Sequence, residues 1–575
     1  MKPVVSLARL VLGCFNRDLL GLQHTVVHLC GNNRLVMDAV YGIICLHHRT
    51  TASPDRDSGR TSCRSVNISI TELGELLTAG DLSSRHLQVN DELHAVIEIN
   101  PDALRIAEHL DFERANGVTR GPLHDNYATV DSMLTGAGSV CLARAKPAAE
   151  ATVVARLRAA GAIILGKTNL DEFAGARGKN ATSGWSPRGG QTFGAYVKHQ
   201  KPCGSSGGSG VAASLGLAAG TLGTETSGSI TCPAMYNNVV GIKPTVGLTS
   251  RYGVVPLTPR QDTTGPLAQS VEDAALILDA IAGKDARDNY TSAQPWNDPP
   301  SFTAALDISA LREARIGVIW MNESFINAPH LVNSEIIQPI FDRAVSDLKE
   351  AGAKTIGVEL DLRGHSVDEF MKMVLSNASI YATADFREAM NHYMQLLEPG
   401  PDVFHNLTDL LHCLKTEPEE LASRMPFDEW DEMNNSNISA SSMEAWNAYV
   451  TASALSRNLV LGPIKKHKLD ALVVLPEIAL ALGASPGLPI VTVPMGVLGP
   501  NATTVWDDDK IVVQTGPGIP LGLSFIADRW SDRNLIRYAY AYEQISKRRR
   551  MLSPVIQPSS DLDLVISRRK SDNEL

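Results

Sequence analysis

Apolar positions fall into two alternating rhythms once the chain passes residue 66. Residues 71–77 carry them at helical spacing, and 95–99 read as a short strand. Asn100-Pro101-Asp102 opens a predicted helix over 103–116, which Gly117 stops. The clearest unit comes next: an amphipathic helix over 150–160, Gly161 as its C-cap, and a buried strand over 162–166. A Gly/Ser-rich loop at 204–210 precedes a small-residue helix over 211–219 and a strand over 221–226. Apolar runs of strand length recur at 316–319, 471–475 and 489–493, separated by helical text. Strands alternating with helices predict an α/β fold, a mixed twisted sheet sandwiched by helices. Residues 1–65 show no period and end in a polar stretch, so they are expected to form a poorly ordered extension. One large domain is expected over 66–550, with a largely helical insertion around 285–465 and a tail at 551–575.

Composition narrows the function classes. The 575 residues are 44% apolar and 20% charged, with a net charge of -11. An acidic surface is not drawn to nucleic acid or to an anionic membrane. The basic runs Lys547-Arg548-Arg549-Arg550 and Arg568-Arg569-Lys570 read as a solvated helix end and tail. No uncharged apolar window is long enough for a membrane span. Eight cysteines are scattered without CxxC spacing, so neither a metal site nor a disulfide framework is expected. No cofactor is expected either. The apolar stretch at 4–15 is interrupted by Arg9 and lacks a clean cleavage site, which favours a cytoplasmic protein. Nine Asn-x-Ser/Thr sequons, at Asn67, Asn180, Asn289, Asn322, Asn377, Asn406, Asn434, Asn437 and Asn501, point towards secretion instead. The reading as unmodified cytosolic asparagines stands slightly ahead.

Candidate chemistry concentrates in two small-residue turns. Gly204-Ser205-Ser206-Gly207-Gly208-Ser209-Gly210 is not a phosphate cradle, because no Lys follows it and no GxGxxG opens the helix. Cys203 lacks an accompanying His motif and is a poor nucleophile candidate. The second turn, Thr226-Ser227-Gly228-Ser229, follows a predicted strand. A serine at such a turn stands beside free backbone N–H groups, which can hold a developing oxyanion.

These motifs carry a family resemblance. Gly-Ser-Ser-Gly-Gly-Ser-Gly at 204–210 and Gly-Thr-Glu-Thr-Ser-Gly-Ser-Ile at 223–230 resemble the amidase-signature family. So do Gly-Ile-Lys-Pro-Thr-Val-Gly-Leu at 241–248 and Gln261-Asp262-Thr263-Thr264-Gly265-Pro266. Gly184-Trp185-Ser186-Pro187-Arg188-Gly189-Gly190-Gln191 and Pro517-Gly518-Ile519-Pro520 are similar to its stand-alone fungal and bacterial amidases. The resemblance implies a Ser–cis-Ser–Lys triad acting on a small carboxamide through an acyl-serine intermediate. Ser229 would attack the carbonyl. Ser205, after a cis peptide bond, would relay protons. The N–H groups of Thr226, Ser227, Gly228 and Ser229 would form the oxyanion hole, and a homodimer is compatible with this reading.

One member of the triad is missing. The family places its lysine in text like Gly-Pro-Leu-His-Gly-Ile-Pro-Val-x-x-Lys-Asp-Asn. Here Gly121-Pro122-Leu123-His124 runs directly into Asp125-Asn126, so the catalytic Lys is absent where it is expected, between His124 and Asp125. Without a neutral lysine in a desolvated pocket, Ser229 has no suitable proton acceptor. Substitutes are poor: His124 adjoins the gap, Lys167 in Gly166-Lys167-Thr168-Asn169 reads rather as a structural residue, and Lys146 and Lys243 are weaker still. The expected function is therefore amide hydrolysis with the competence of this chain in doubt. The alternatives are an inactive amidase-fold protein with a binding role, and a protein resembling the glutamine-hydrolysing part of an amidotransferase.

Overall fold

The computed structural model describes residues 89–103, 127–178, 181–320, 334–400 and 404–557, together with short strands at Ile44–Cys45 and Ser83–Ser84. The helices read at 71–77 and 103–116, the gap after His124, and almost all of the N-terminal extension lie outside the described residues, as do 558–575 of the tail.

The first strand of the main body, β1 (Val96–Ile99), pairs antiparallel with β2 (Gly166–Thr168) in a small separate ribbon. Helix α1 (Thr152–Ala159) lies between them in sequence. The buried run at 162–164 is therefore not the strand itself. It leads into β2, which begins at Gly166, and the pairing shifts register between Val96 and Glu98. Helix α2 (Gly207–Ser214) also starts earlier than its apolar text, because the residues from Gly207 to Gly210 already wind into its first turn. The bare α-carbons of Gly207, Gly208 and Gly210 let it pack against Pro202, Asn169 and Asn237.

The central sheet has eight strands. In chain order they are β3 (Gly220–Glu225), β4 (Val240–Lys243), β5 (Thr263–Ala268) and β6 (Arg315–Ile319). The remaining four are β7 (Lys354–Val358), β8 (Ala471–Val474), β9 (Ile490–Val497) and β10 (Pro520–Ile526). Their spatial order is β7-β6-β8-β10-β9-β4-β5-β3, parallel among β7, β6 and β8 and antiparallel from β8 to β3. Strand β3 is thus an edge of this sheet. Helices cover the sheet, among them α3 (Thr231–Tyr236), α4 (Val271–Ile281) and α5 (Ser334–Glu350). The expected mixed, helix-covered sheet is the architecture observed.

The stretch around 285–465 is largely helical: α6 (Val367–Met394), α7 (Leu407–Thr416), α8 (Asp428–Asn435) and α9 (Met443–His467). It also supplies β6 and β7 to the sheet, so its N-terminal part belongs to the sheet itself. A second core ties the helices to the half that carries the serines. Trp430 sits fully buried with Phe173, Phe386 and Phe427 edge-on at 4.7–5.5 Å. Its indole N–H donates to Ala176 O at 2.7 Å. Beside it Arg177 pairs with Glu172, and Glu420 accepts from Ser139 Oγ and Cys141 N.

Contrary to the expectation from cysteine spacing, all four cysteines of residues 89–557 are paired. Cys141 joins Cys413 across a sequence separation of 272, and Cys203 joins Cys232 across 29. Spacing could not show this, because α2 and α3 are brought together only by tertiary packing. No described helix is long and apolar enough to cross a membrane.

Candidate active site

The two serine turns meet where α2 and α3 begin. Ser229 follows β3 and precedes α3, whose start is secured by Glu225 at the end of the strand. One carboxylate oxygen of Glu225 accepts from Ile230 N at 2.7 Å and from Thr231 N at 2.9 Å. Charge-assisted bonds of this kind are about twice as strong as neutral ones, and they fix the turn that presents Ser229. Gly228 takes φ +91°, and a β-carbon there would press on Leu480 of α10 (Pro476–Gly483). The Gly204–Ser205 peptide is cis. A β-carbon on Gly204 would collide with the carboxylate of Asp171, whose backbone N–H donates to Ser205 O at 3.0 Å. Ser206 N donates to Ser229 O at 3.2 Å, which locks the two turns together, and the Cys203–Cys232 disulfide bridges them covalently.

Both serines are buried, Ser205 at 2% exposure and Ser229 at 8%. Ser205 Oγ has no hydrogen-bond partner among the described residues. No bond to a described residue engages the backbone N–H groups of Thr226, Ser227, Gly228 or Ser229. Thr226 is instead held through its other groups. Its hydroxyl donates to Asp262 Oδ1 at 2.6 Å, and its carbonyl accepts from Gln261 Nε2 at 3.1 Å. Gln261 Oε1 in turn accepts from Tyr381 OH of α6 at 2.6 Å. Burial pushes the Asp262 carboxyl up to about 6, against the lowering effect of the Thr226 hydroxyl.

The candidate replacement bases are engaged elsewhere. Lys167 is fully buried, and its ammonium donates to Tyr127 O and Thr135 Oγ1, both at 3.0 Å. Lys243 is also fully buried and donates to Leu488 O at 2.7 Å. Burial pulls its pKa down to about 8, partly offset by Glu225 and Asp532. Lys146 pairs with Glu398 at 3.1 Å in the open. His124 lies outside the described residues. Sequence reasoning missed Lys201, which lies just before Cys203. Burial lowers its pKa against the pull of Asp171, Glu477 and Asp507. Its only signal in the sequence was adjacency to the Gly/Ser loop.

A cavity of about 370 Å³ reaches this region from the side of Thr226. Val255, Leu257, Asp262, His392 and Tyr393 contribute to its wall, but Ser205 and Ser229 do not. His392 and Tyr393 come from α6. No group of three or more potential metal ligands occurs among the described residues.

The amidase family model matches residues 81–536. The chain belongs to the amidase family. A putative amidase of Arthroderma benhamiae is 42% identical over 83% of this chain and 80% of its own length. A glutamyl-tRNA(Gln) amidotransferase chain of Cyanothece is 30% identical over 83% of this chain and 97% of its own length. The solved structure of native peptide amidase from Stenotrophomonas maltophilia superposes with a TM-score of 0.69 at 35% identity, covering 82% of this chain and 92% of that one. The chain is therefore an amidase-family hydrolase with the family's α/β fold, and amides are the substrates that fit it. A Ser-Ser-Lys triad is typical of this family.

Proposed function

We propose that Ser229 is the acylating nucleophile of a carboxamide hydrolase and that Ser205 is its proton relay. The N–H groups of Thr226, Ser227, Gly228 and Ser229 then serve as the oxyanion hole. The observation that carries this reading is the buried Ser205 hydroxyl together with the N–H groups of Thr226 to Ser229, all without a partner among the described residues. A buried hydroxyl without a partner is costly, so its persistence marks a position built for a further group. The lysine missing after His124 is such a group.

The same observation supports a second reading, an inactive family member that keeps the pocket for binding. Incubating the purified chain with a fluorophosphonate probe and small carboxamides separates the two. The hydrolase reading expects labelling that Ser229→Ala abolishes and release of ammonia. Absence of both leaves the binding reading. Of the two enzyme types among its relatives, the stand-alone amidase is preferred, because the identity to the putative amidase is the higher. Purification without partner chains is the expected outcome.

A further inference from the structure

We propose that this chain is N-glycosylated at Asn437 and Asn501 in a disulfide-forming secretory compartment. Six of the nine sequons fall on described residues, and the structure divides them. Asn377 lies inside α6 and donates its amide to Met373 O at 2.8 Å. Asn406 caps α7 by accepting from Asp409 N at 3.0 Å. Asn434 Nδ2 donates to Thr408 Oγ1 at 3.1 Å. Asn377 and Asn434 thus already spend on the fold the Nδ2 that would carry a glycan, and Asn406 is half-buried at its helix cap. Asn289 is exposed but lines the cavity beside Thr226, where a glycan would obstruct it. Asn437 and Asn501 differ from all four. Asn437 lies in the irregular segment between α8 and α9, and Asn501 in the turn after β9. Both are exposed, and neither side chain bonds to a described residue.

The two disulfides are an independent pointer to the same compartment. Such pairs persist in secretory lumens and are rare in reducing cytosol. Each forms when two thiols give up two electrons and two protons to a protein disulfide oxidant, which is reduced to its dithiol. Glycan transfer needs a lipid-linked oligosaccharide pyrophosphate as donor. The Asn Nδ2 forms a bond to the anomeric carbon, the bond from that carbon to the phosphate oxygen breaks, and the lipid pyrophosphate leaves while Nδ2 loses one proton. The hydroxyl residue two positions on, Ser439 or Thr503, completes each acceptor sequence.

Expression of the full chain in a eukaryotic cell tests this without reference to catalysis. Peptide-N-glycosidase treatment in heavy-oxygen water, followed by peptide mapping, should convert Asn437 and Asn501 to labelled Asp. Mapping without reductant should recover the Cys141–Cys413 and Cys203–Cys232 peptides. Asn437→Gln and Asn501→Gln should each remove the mass of one glycan and leave the melting temperature unchanged. Absence of conversion at both positions overturns the proposal. So does conversion confined to Asn377, Asn406 and Asn434, or recovery of all four cysteines as free thiols.

Discussion

In the proposed site, the part that carries the serines and the part that would carry the base differ in how they are built. Around Ser205 and Ser229 the backbone is held by Glu225, by the Ser206–Ser229 bond and by the Cys203–Cys232 bridge. By contrast, two of the candidate lysines spend their ammonium groups on structure: Lys167 on Tyr127 and Thr135, Lys243 on Leu488. A nucleophile turn can be assembled from local backbone and small residues. A neutral lysine needs a dedicated buried position, which cannot be borrowed from a lysine already serving as a structural donor.

The largest effect should come from restoring the missing half. Inserting Gly-Ile-Pro-Val-x-x-Lys after His124 is expected to raise ammonia release by roughly a thousandfold or more. An unchanged rate, with the protein folded, would break the contrast by showing that the serine half is also incompetent. Removing the covalent bridge comes next. The Cys203→Ala/Cys232→Ala double variant should lose about 3.6 kcal/mol, read as a lower denaturation midpoint, since the pair closes a loop of sequence separation 29. Glu225→Gln should cost about 2 kcal/mol in the same assay, because a neutral amide replaces a carboxylate that accepts two backbone N–H groups. A midpoint equal to wild type would mean that the Ser229 turn holds itself.

The smallest effect is a slope. The Asp262 carboxyl is raised from 3.8 to about 6 by burial, so the folded state holds that proton more tightly than the unfolded chain. Its stabilising contribution is complete below the unfolded value and is lost as pH rises to about 6. Thermal unfolding should show a shallower decline over that interval in Asp262→Asn than in wild type. Equal slopes would place the titration elsewhere, with Asp171, also raised to about 6 by burial, the first alternative.

The backbone of the candidate site was legible because its signals are local. Glycines and serines at 204–210 and 226–229 are demanded by backbone that must approach closely, and such demands are written residue by residue. The helix and strand text was legible for the same reason, with errors at boundaries. Gly207, Gly208 and Gly210 have poor helical propensity, yet they wind into α2 because side chains there would press on Pro202, Asn169 and Asn237. That Lys167 is structural was read from its motif, but its partners Tyr127 and Thr135 were not legible, since they are distant in sequence and reach it only across the fold.

By itself, then, the sequence determined the α/β class, the family, the two serine turns and the absence of a lysine after His124. All are properties of contiguous residues. The tertiary structure decided which cysteines pair, which lysines are already engaged, how Gln261 and Asp262 hold Thr226 beside α6, and which sequons stand free. Those depend on contacts between segments up to 272 residues apart, where packing rather than local spacing chooses the partner.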